Sequence, residues 1–241
     1  MLFYLQMDEF FYMKRMLFWN NQETIKALNQ SLDRNMVSIV DTDTILGLLG
    51  RLTPESFEAL NRIKGGRSGK PYLILLGSCD KLKLFVPEIA LTPPIMRLIN
   101  YCWPGPVTFI FKAKPDLPEF MTSSGQTIAL RSPKHDKLQQ LLGFYDGLFS
   151  TSANKSSEPV PVTHEEIDPE ILAQIDYLVV NQEKTQKTEE LAIPSTIIDI
   201  SGITGASGSN NKDGMIRVVR EGAYPIEELE RIYGSKFTKL T

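Results

Sequence analysis

A layered α/β fold in a single domain is the class this sequence predicts, on three observations. Short apolar runs of strand length alternate along most of the 241 residues with segments whose apolar residues recur at helical spacing. Hydrophobic residues make up 42% of the chain, enough to fill a sizeable core without cross-links. The one long Gly/Ser/Asn-rich stretch, 201–214, lies between two strand patterns and reads as a flexible loop, not as a linker between domains. Several connections are short, which leaves antiparallel strand pairs open beside parallel ones.

Taken in order, Ile25, Leu28 and Leu32 predict a helix over 24–32, closed by Asp33-Arg34-Asn35. An apolar strand over 36–40 follows and hands over to the polar loop Asp41-Thr42-Asp43-Thr44. Thr53-Pro54-Glu55 is a helix start, with Thr53 as cap and Pro54 in the first helical position, and Phe57, Leu60 and Ile63 continue it. Strands are then expected over 72–76, 107–112, 127–130, 148–151, 177–180, 196–199 and 216–219, and helices over 95–100, 137–142 and 226–233. The expected domain spans 21–234, with an N-terminal extension over 1–20 and a short tail over 235–241.

A formal net charge of −3 argues against a surface that grips nucleic acid as a whole, because such a surface needs an excess of cations facing the phosphates. Two cysteines, Cys79 and Cys102, cannot build a metal cage and fit a reducing compartment as buried, inert thiols. The first twenty residues are rich in Phe, Tyr, Met and Leu, but Asp8, Glu9, Lys14 and Arg15 interrupt them and no small-residue cleavage site follows. They read as a docking or dimerising extension; a translation start at Met13 or Met16, or a membrane-surface helix without polybasic flanks, are the other readings.

Chemistry concentrates at a few places. The window 62–70 holds Arg62, Lys64, Arg67 and Lys70 with Gly65, Gly66 and Gly69, and no acid lies between Glu58 and Asp80. Glycines let backbone N–H groups approach a phosphate and the cations offset its charge; a solvated basic turn is the alternative. A nucleotide-hydrolase P-loop is excluded: aligning its Gly-Lys on Gly69-Lys70 puts Lys64 where the first glycine belongs and Pro71 where the magnesium-binding hydroxyl belongs. The two histidines, His135 and His164, stand in no catalytic motif. Ser152-Ala153-Asn154 after an apolar strand lacks the glycines of a nucleophile elbow, so its hydroxyl and amide are better suited to hydrogen-bonding a ligand, or to an ordinary strand-end turn.

In order along the chain, these pieces resemble the YrdC family of threonylcarbamoyl-AMP synthases. Asp41-Thr42-Asp43-Thr44-Ile45-Leu46-Gly47-Leu48 resembles the family's P-T-D-T-x-Y-G-L segment, and Lys64, Arg67 and Lys70-Pro71 follow as its basic stretch. Trp103-Pro104-Gly105-Pro106-Val107-Thr108 is similar to the W-P-G-P-L-T turn, Ile128-Ala129-Leu130-Arg131 to the strand ending in Arg, and Thr151-Ser152-Ala153-Asn154 to the S-x-N element. Pro194-Ser195-Thr196 and Arg220-Glu221-Gly222 correspond to late S-T and R-x-G elements. The chain departs from the pattern at Asp41 for Pro, Leu46 for Tyr, Leu75 for His, and in the spacing Lys64-Gly65-Gly66-Arg67 against K-x-R.

The resemblance implies a twisted mixed sheet flanked by helices around a large basic cavity. It places Thr44, Thr127, Arg131, Ser150 and Ser195 on the side of L-threonine, and Lys64, Arg67, Lys70, Ser152, Asn154 and Arg220 on the side of ATP. It implies a nucleotidyltransferase that joins L-threonine, bicarbonate or carbon dioxide, and ATP with Mg2+ into threonylcarbamoyl-adenylate and pyrophosphate, by position and electrostatics without a covalent intermediate. The product would pass to a tRNA threonylcarbamoyl transferase, with at most a weak tRNA contact, in the cytoplasm and without a membrane. A YrdC-like paralogue that keeps nucleotide or RNA binding and has lost or altered the chemistry is the alternative. A carbamoyl-transfer enzyme of the hydrogenase-maturation type would need accessory domains for which this chain has no room.

Overall fold

Strand and helix alternate largely as the periodicity predicts over the residues that the computed structural model describes, 15–66, 71–181, 193–203 and 216–239. In chain order the main elements are β1 (Met16–Phe18), α1 (Thr24–Asp33), β2 (Ser38–Val40), β3 (Gly47–Arg51), α2 (Pro54–Ile63), β4 (Leu73–Leu75), α3 (Leu82–Phe85), α4 (Pro93–Cys102), β5 (Val107–Lys112) and β6 (Thr127–Arg131). There follow α5 (Asp136–Leu142), β7 (Leu148–Ser152), α6 (Pro169–Leu172), β8 (Leu178–Val180), β9 (Thr196–Asp199), β10 (Arg217–Arg220), α7 (Ile226–Tyr233) and β11 (Thr238–Lys239). The mixed sheet with flanking helices expected from sequence is the observed fold class.

Chain contacts group these elements into two compact units, residues 1–67 with 150–192 and residues 68–149 with 193–241; the division falls within β7. In the first unit β1 runs parallel to β8, β8 parallel to β2, and β2 antiparallel to β3. Helix α1 buries Thr24, Leu28, Ser31 and Leu32, the face its spacing dictates. Helix α2 starts as predicted: the Thr53 side chain accepts from the Ser56 N–H and Pro54 takes the first turn. In the second unit β4 is parallel to β6, β6 antiparallel to β5, β5 parallel to β9, β9 antiparallel to β10 and β10 parallel to β11. Phe109 and Phe111 of β5 are buried there, and Trp103 packs edge-on against Phe109.

Three strands go beyond the sequence reading. Strand β3 was masked by Gly47 and Gly50, which weaken strand patterns. Gly50 faces α2, where a Cβ would meet Ser56 and Leu60 at ordinary contact distance, 3.4 and 3.5 Å. Strand β1 lies inside the stretch read as an extension, so the fold begins before residue 21: Met16, Leu17 and Phe18 pair with Leu178, Val179 and Val180. Strand β11 likewise brings the expected tail into the sheet, with Thr238 and Lys239 beside Arg217 and Val218. The rest of the extension, residues 1–14, and most of the loop expected over 201–214 lie outside the described residues.

Candidate active site

In the first unit, the glycines of the basic window serve the helix end. Gly65 and Gly66 both adopt positive φ, +72° and +85°, where a side chain would be strained although nothing crowds either position. Their N–H groups close α2 onto the carbonyls of Arg62 and Asn61, at 3.1 and 2.9 Å. The extra glycine between Lys64 and Arg67 is thereby absorbed by the turn. Lys64, 4% exposed, points its ammonium at three acceptors: the Ser152 carbonyl at 2.9 Å, Asn154 Oδ1 at 3.0 Å and the Asn154 carbonyl. Ser152 Oγ donates to the same Asn154 Oδ1 at 2.5 Å, while Asn154 Nδ2 donates to the Glu158 carbonyl. Ser156 returns two bonds, from N and Oγ, to the Lys64 carbonyl. Lys64 thus holds the Ser-x-Asn turn from below, a role that spacing alone did not suggest.

The loop after β2 is organised around Thr42. Its hydroxyl donates to the Ile45 carbonyl at 2.7 Å, accepts from the Thr44 N–H at 3.1 Å, and lies 3.2 Å from the Thr44 hydroxyl. A hydroxyl has one proton, and the Ile45 bond uses it, so Thr44 donates to Thr42. Ser150 in β7 is buried; a Cβ on Gly47 would come within 3.1 Å of its Oγ, so a glycine lets the β3 backbone approach that hydroxyl. Asp41, which stands where the family pattern has Pro, uses the N–H a proline lacks to bond the Val179 carbonyl at 2.8 Å. Trp19, buried just after β1, donates its indole N–H to the Asp41 carbonyl at 3.1 Å. Leu46 is buried as a core residue.

The second unit carries Arg131 and Arg220. Gly105 sits in the Trp103–Thr108 turn, where a Cβ would fall 2.3 Å from the Cys102 carbonyl. Its N–H bonds the Ser132 carbonyl and its own carbonyl accepts the Nε–H of Arg131 at 3.0 Å. Arg131 is 4% exposed, and Leu75 stands opposite it in the β4–β6 register. Arg220 at the end of β10 donates Nε–H and Nη2–H to the Ser195 carbonyl at 3.0 and 2.8 Å, and Nη2–H to Ser195 Oγ at 3.3 Å. Its guanidinium pKa is lowered, first by desolvation and then by the positive charge of Arg131. An anion beside Arg220 would offset both the partial desolvation of its guanidinium and the repulsion from Arg131.

Thr196 locks this arrangement. Its Oγ1 donates to the Tyr224 carbonyl at 2.6 Å and accepts the N–H groups of Gly222 and Tyr224, both at 3.0 Å. Gly222 must be glycine, because a Cβ would fall 2.2 Å from the Pro194 carbonyl. Thr196, Gly105 and Thr108, whose Oγ1 lies 2.9 Å from Ser195 Oγ, were absent from the site read in sequence. The Trp-Pro-Gly-Pro and Ser-Thr motifs carried the signal, but not which atoms would be used.

Of the residues expected in the site, Lys64, Ser152 and Asn154 form one cluster and Ser195 and Arg220 another, and the charge of Arg131 is felt at Arg220. Thr127 does not join the second: its hydroxyl pairs with Ser123 Oγ at 2.7 Å at the start of β6, four residues or ~13 Å of strand from Arg131. Arg67 and Lys70 lie outside the described residues. His135 caps α5 through Nδ1, and burial beside Glu228 pushes the Cys102 thiol up to about 12, far from a reactive thiolate. Among the described residues no group of His, Cys, Asp and Glu could hold a metal ion, and no helix is long and apolar enough to cross a membrane.

A hydroxyl and amide cluster in the first unit and two arginines in the second suit a class of protein that binds and orients anionic substrates. The chain belongs to the Sua5/YciO/YrdC family, nucleotidyltransferase-type enzymes: residues 30–212 match the family model, described as "Telomere recombination". The threonylcarbamoyl-AMP synthase of Yersinia enterocolitica is 30% identical over 151 residues, 61% of this chain and 78% of that protein. Two solved structures share the fold. Pyrococcus abyssi Sua5, solved with L-threonine, gives a TM-score of 0.76 at 21% identity over 94% of this chain and 62% of its own. E. coli YciO gives 0.69 at 21% identity over 89% and 98%. The family read from the order of motifs is thereby borne out.

Proposed function

We propose that the chain is an L-threonylcarbamoyladenylate synthase, which forms threonylcarbamoyl-AMP and pyrophosphate from L-threonine, bicarbonate or carbon dioxide, and ATP carried with Mg2+. The observation that carries this reading is Arg220 held on the carbonyl and hydroxyl of Ser195 in the second unit, with Arg131 buried on the Gly105 carbonyl and its positive charge felt at Arg220, cations suited to a carboxylate or phosphate. The name of the Yersinia relative and the L-threonine complex of the Pyrococcus structure support it.

In this reading Arg131 and Ser195 take the threonine carboxylate and Arg220 a phosphate. In the first unit Thr44 and Ser150 meet polar groups of threonine, and Ser152 and Asn154, held by Lys64, meet the nucleotide. The threonine amine bonds to the carbon of carbon dioxide and loses a proton, giving a carbamate. A carbamate oxygen then attacks the α-phosphorus, the bond from that phosphorus to the bridging oxygen breaks, and pyrophosphate leaves with both electrons. The protein contributes orientation and positive charge for the leaving phosphates, to which Arg67 and Lys70 are assigned with Arg220. Magnesium enters as part of the ATP substrate, held by phosphate oxygens. Hand-over to a tRNA threonylcarbamoyl transferase in the cytoplasm follows from the same reading.

The test is pyrophosphate release from purified protein with ATP, magnesium, bicarbonate and each amino acid in turn. Release that depends on threonine is expected. ATP binding without turnover for any amino acid would sink the synthase and favour a nucleotide- or RNA-binding paralogue. That second reading draws on Leu75, which puts a hydrocarbon opposite Arg131 in the sheet register.

A further inference from the structure

Thr108 lies in β5, 2% exposed, with strands paired on both of its sides, and its hydroxyl is 2.9 Å from that of Ser195. Distance alone does not say which of the two donates. The neighbours decide it. Arg220 has only donors, and its Nη2–H already bonds Ser195 Oγ. Among the described residues, Ser195 Oγ is the one acceptor within reach of the Thr108 proton. If Ser195 gave its proton to Thr108, the Thr108 proton would be stranded inside a strand flanked by its neighbours, without another acceptor among the described residues. If Thr108 donates, the proton left over is that of Ser195, which is itself 4% exposed but bonds the exposed Arg220, where a ligand can accept it. Thr108 therefore donates. The bonds from Thr108 and Arg220 then occupy both acceptor positions of the Ser195 oxygen, and the Ser195 proton points away from both.

We infer that Thr108 is a positioning residue which, together with Arg220, makes Ser195 a hydrogen-bond donor only, so that this cluster of the second unit selects a ligand carboxylate oxygen over an amine N–H. Applied to threonine the inference rests on the function proposed above. It adds a residue outside the assigned set and a direction for one hydrogen bond: Ser195 donates to the carboxylate that Arg131 attracts.

The experiment compares Thr108→Val, which keeps the shape and removes the hydroxyl, with Thr108→Ser, Ser195→Ala and the Thr108→Val/Ser195→Ala pair. Each full-length variant is titrated calorimetrically with L-threonine and with L-threoninol, which lacks the carboxylate, and the KM for ATP is measured. Thr108→Val is expected to weaken L-threonine binding about three- to tenfold, the effect of one hydrogen bond, while the KM for ATP stays within about twofold. Thr108→Ser should restore wild-type binding. The pair should bind like Ser195→Ala alone, because Thr108 acts through Ser195. Wild-type L-threonine affinity in Thr108→Val, a Thr108→Ser no better than the valine, losses that multiply in the pair, or L-threoninol bound as tightly as L-threonine would each overturn the inference. Thr108→Ala carries the same comparison if the valine variant fails to fold. If the wild-type chain binds no L-threonine, the proposed function falls separately; the Thr108–Ser195 bond is then read from denaturation midpoints of the same variants, and additive shifts overturn it.

Discussion

A buried ammonium with three backbone or amide acceptors does different work from a cation in a phosphate cradle. Lys64 satisfies three acceptors on a turn ninety residues away in sequence, and Gly65 and Gly66, which resemble a cradle in sequence, are consumed in ending the helix. Removing the ammonium leaves those acceptors buried, and hydrogen bonds to a charged group are worth roughly 1.5–3 kcal/mol. Lys64→Met is expected to lower stability by about that amount in urea titrations and to raise the KM for ATP more than that for threonine, since Ser152 and Asn154 lose their support. Unchanged stability would return Lys64 to the role of a direct phosphate ligand.

At the scale of elements, β1 and the Lys155 contacts show how short pieces of chain buttress the motif loops of the first unit. Trp19, two residues after Leu17 in an edge strand, bonds the carbonyl of the first residue in Asp41-Thr42-Asp43-Thr44. Trp19→Phe keeps most of the buried ring and deletes one buried bond; a loss of about 1 kcal/mol is expected, with a higher KM for threonine as the Thr44 loop loosens. Lys155, next to Asn154, bonds Asp168 and Glu170 at the start of α6, each at 2.7 Å. The Lys155 side-chain bond and the Glu170 N–H hold the Asp168 carboxyl below its ordinary value near ~4. A depressed acid stabilises the fold above its unfolded pKa and stops doing so as pH falls through the folded value. Asp168→Asn is accordingly expected to lower the urea midpoint at pH 7 and to match wild type once the pH is below that depressed value; an equal gap at both pH values would argue against the ion pair.

At the scale of the whole molecule, ligand binding and stability are linked, because a ligand that binds only the folded chain stabilises it by about 2.7 kcal/mol at a hundredfold excess over Kd. L-threonine and Mg·ATP should each raise the melting temperature of the wild type. Arg131→Ala is expected to lose the threonine-dependent shift and keep the ATP-dependent one; loss of both would mean that Arg131 supports the second unit rather than a carboxylate.

What the sequence determined by itself was local or ordered along the chain. Helix α7 over Ile226–Tyr233 and strands β5 and β9 fall on the predicted residues because a clear period and clear stop signals, such as Gly234 with φ +92°, need no distant partner. The Thr53-Pro54 start was legible for the same reason, and the succession of motifs led to the family. Only the tertiary structure decided the rest. Strands β1, β3 and β11 are two to five residues long or broken by glycine, and become strands because a neighbour supplies the ladder. It also decided the hydrogen-bond partners: Lys64 with Asn154, Thr108 with Ser195 and Trp19 with Asp41 are joined across 90, 87 and 22 residues. A motif states which polar groups are present, whereas their direction and protonated partner are set by what folding brings within 3 Å.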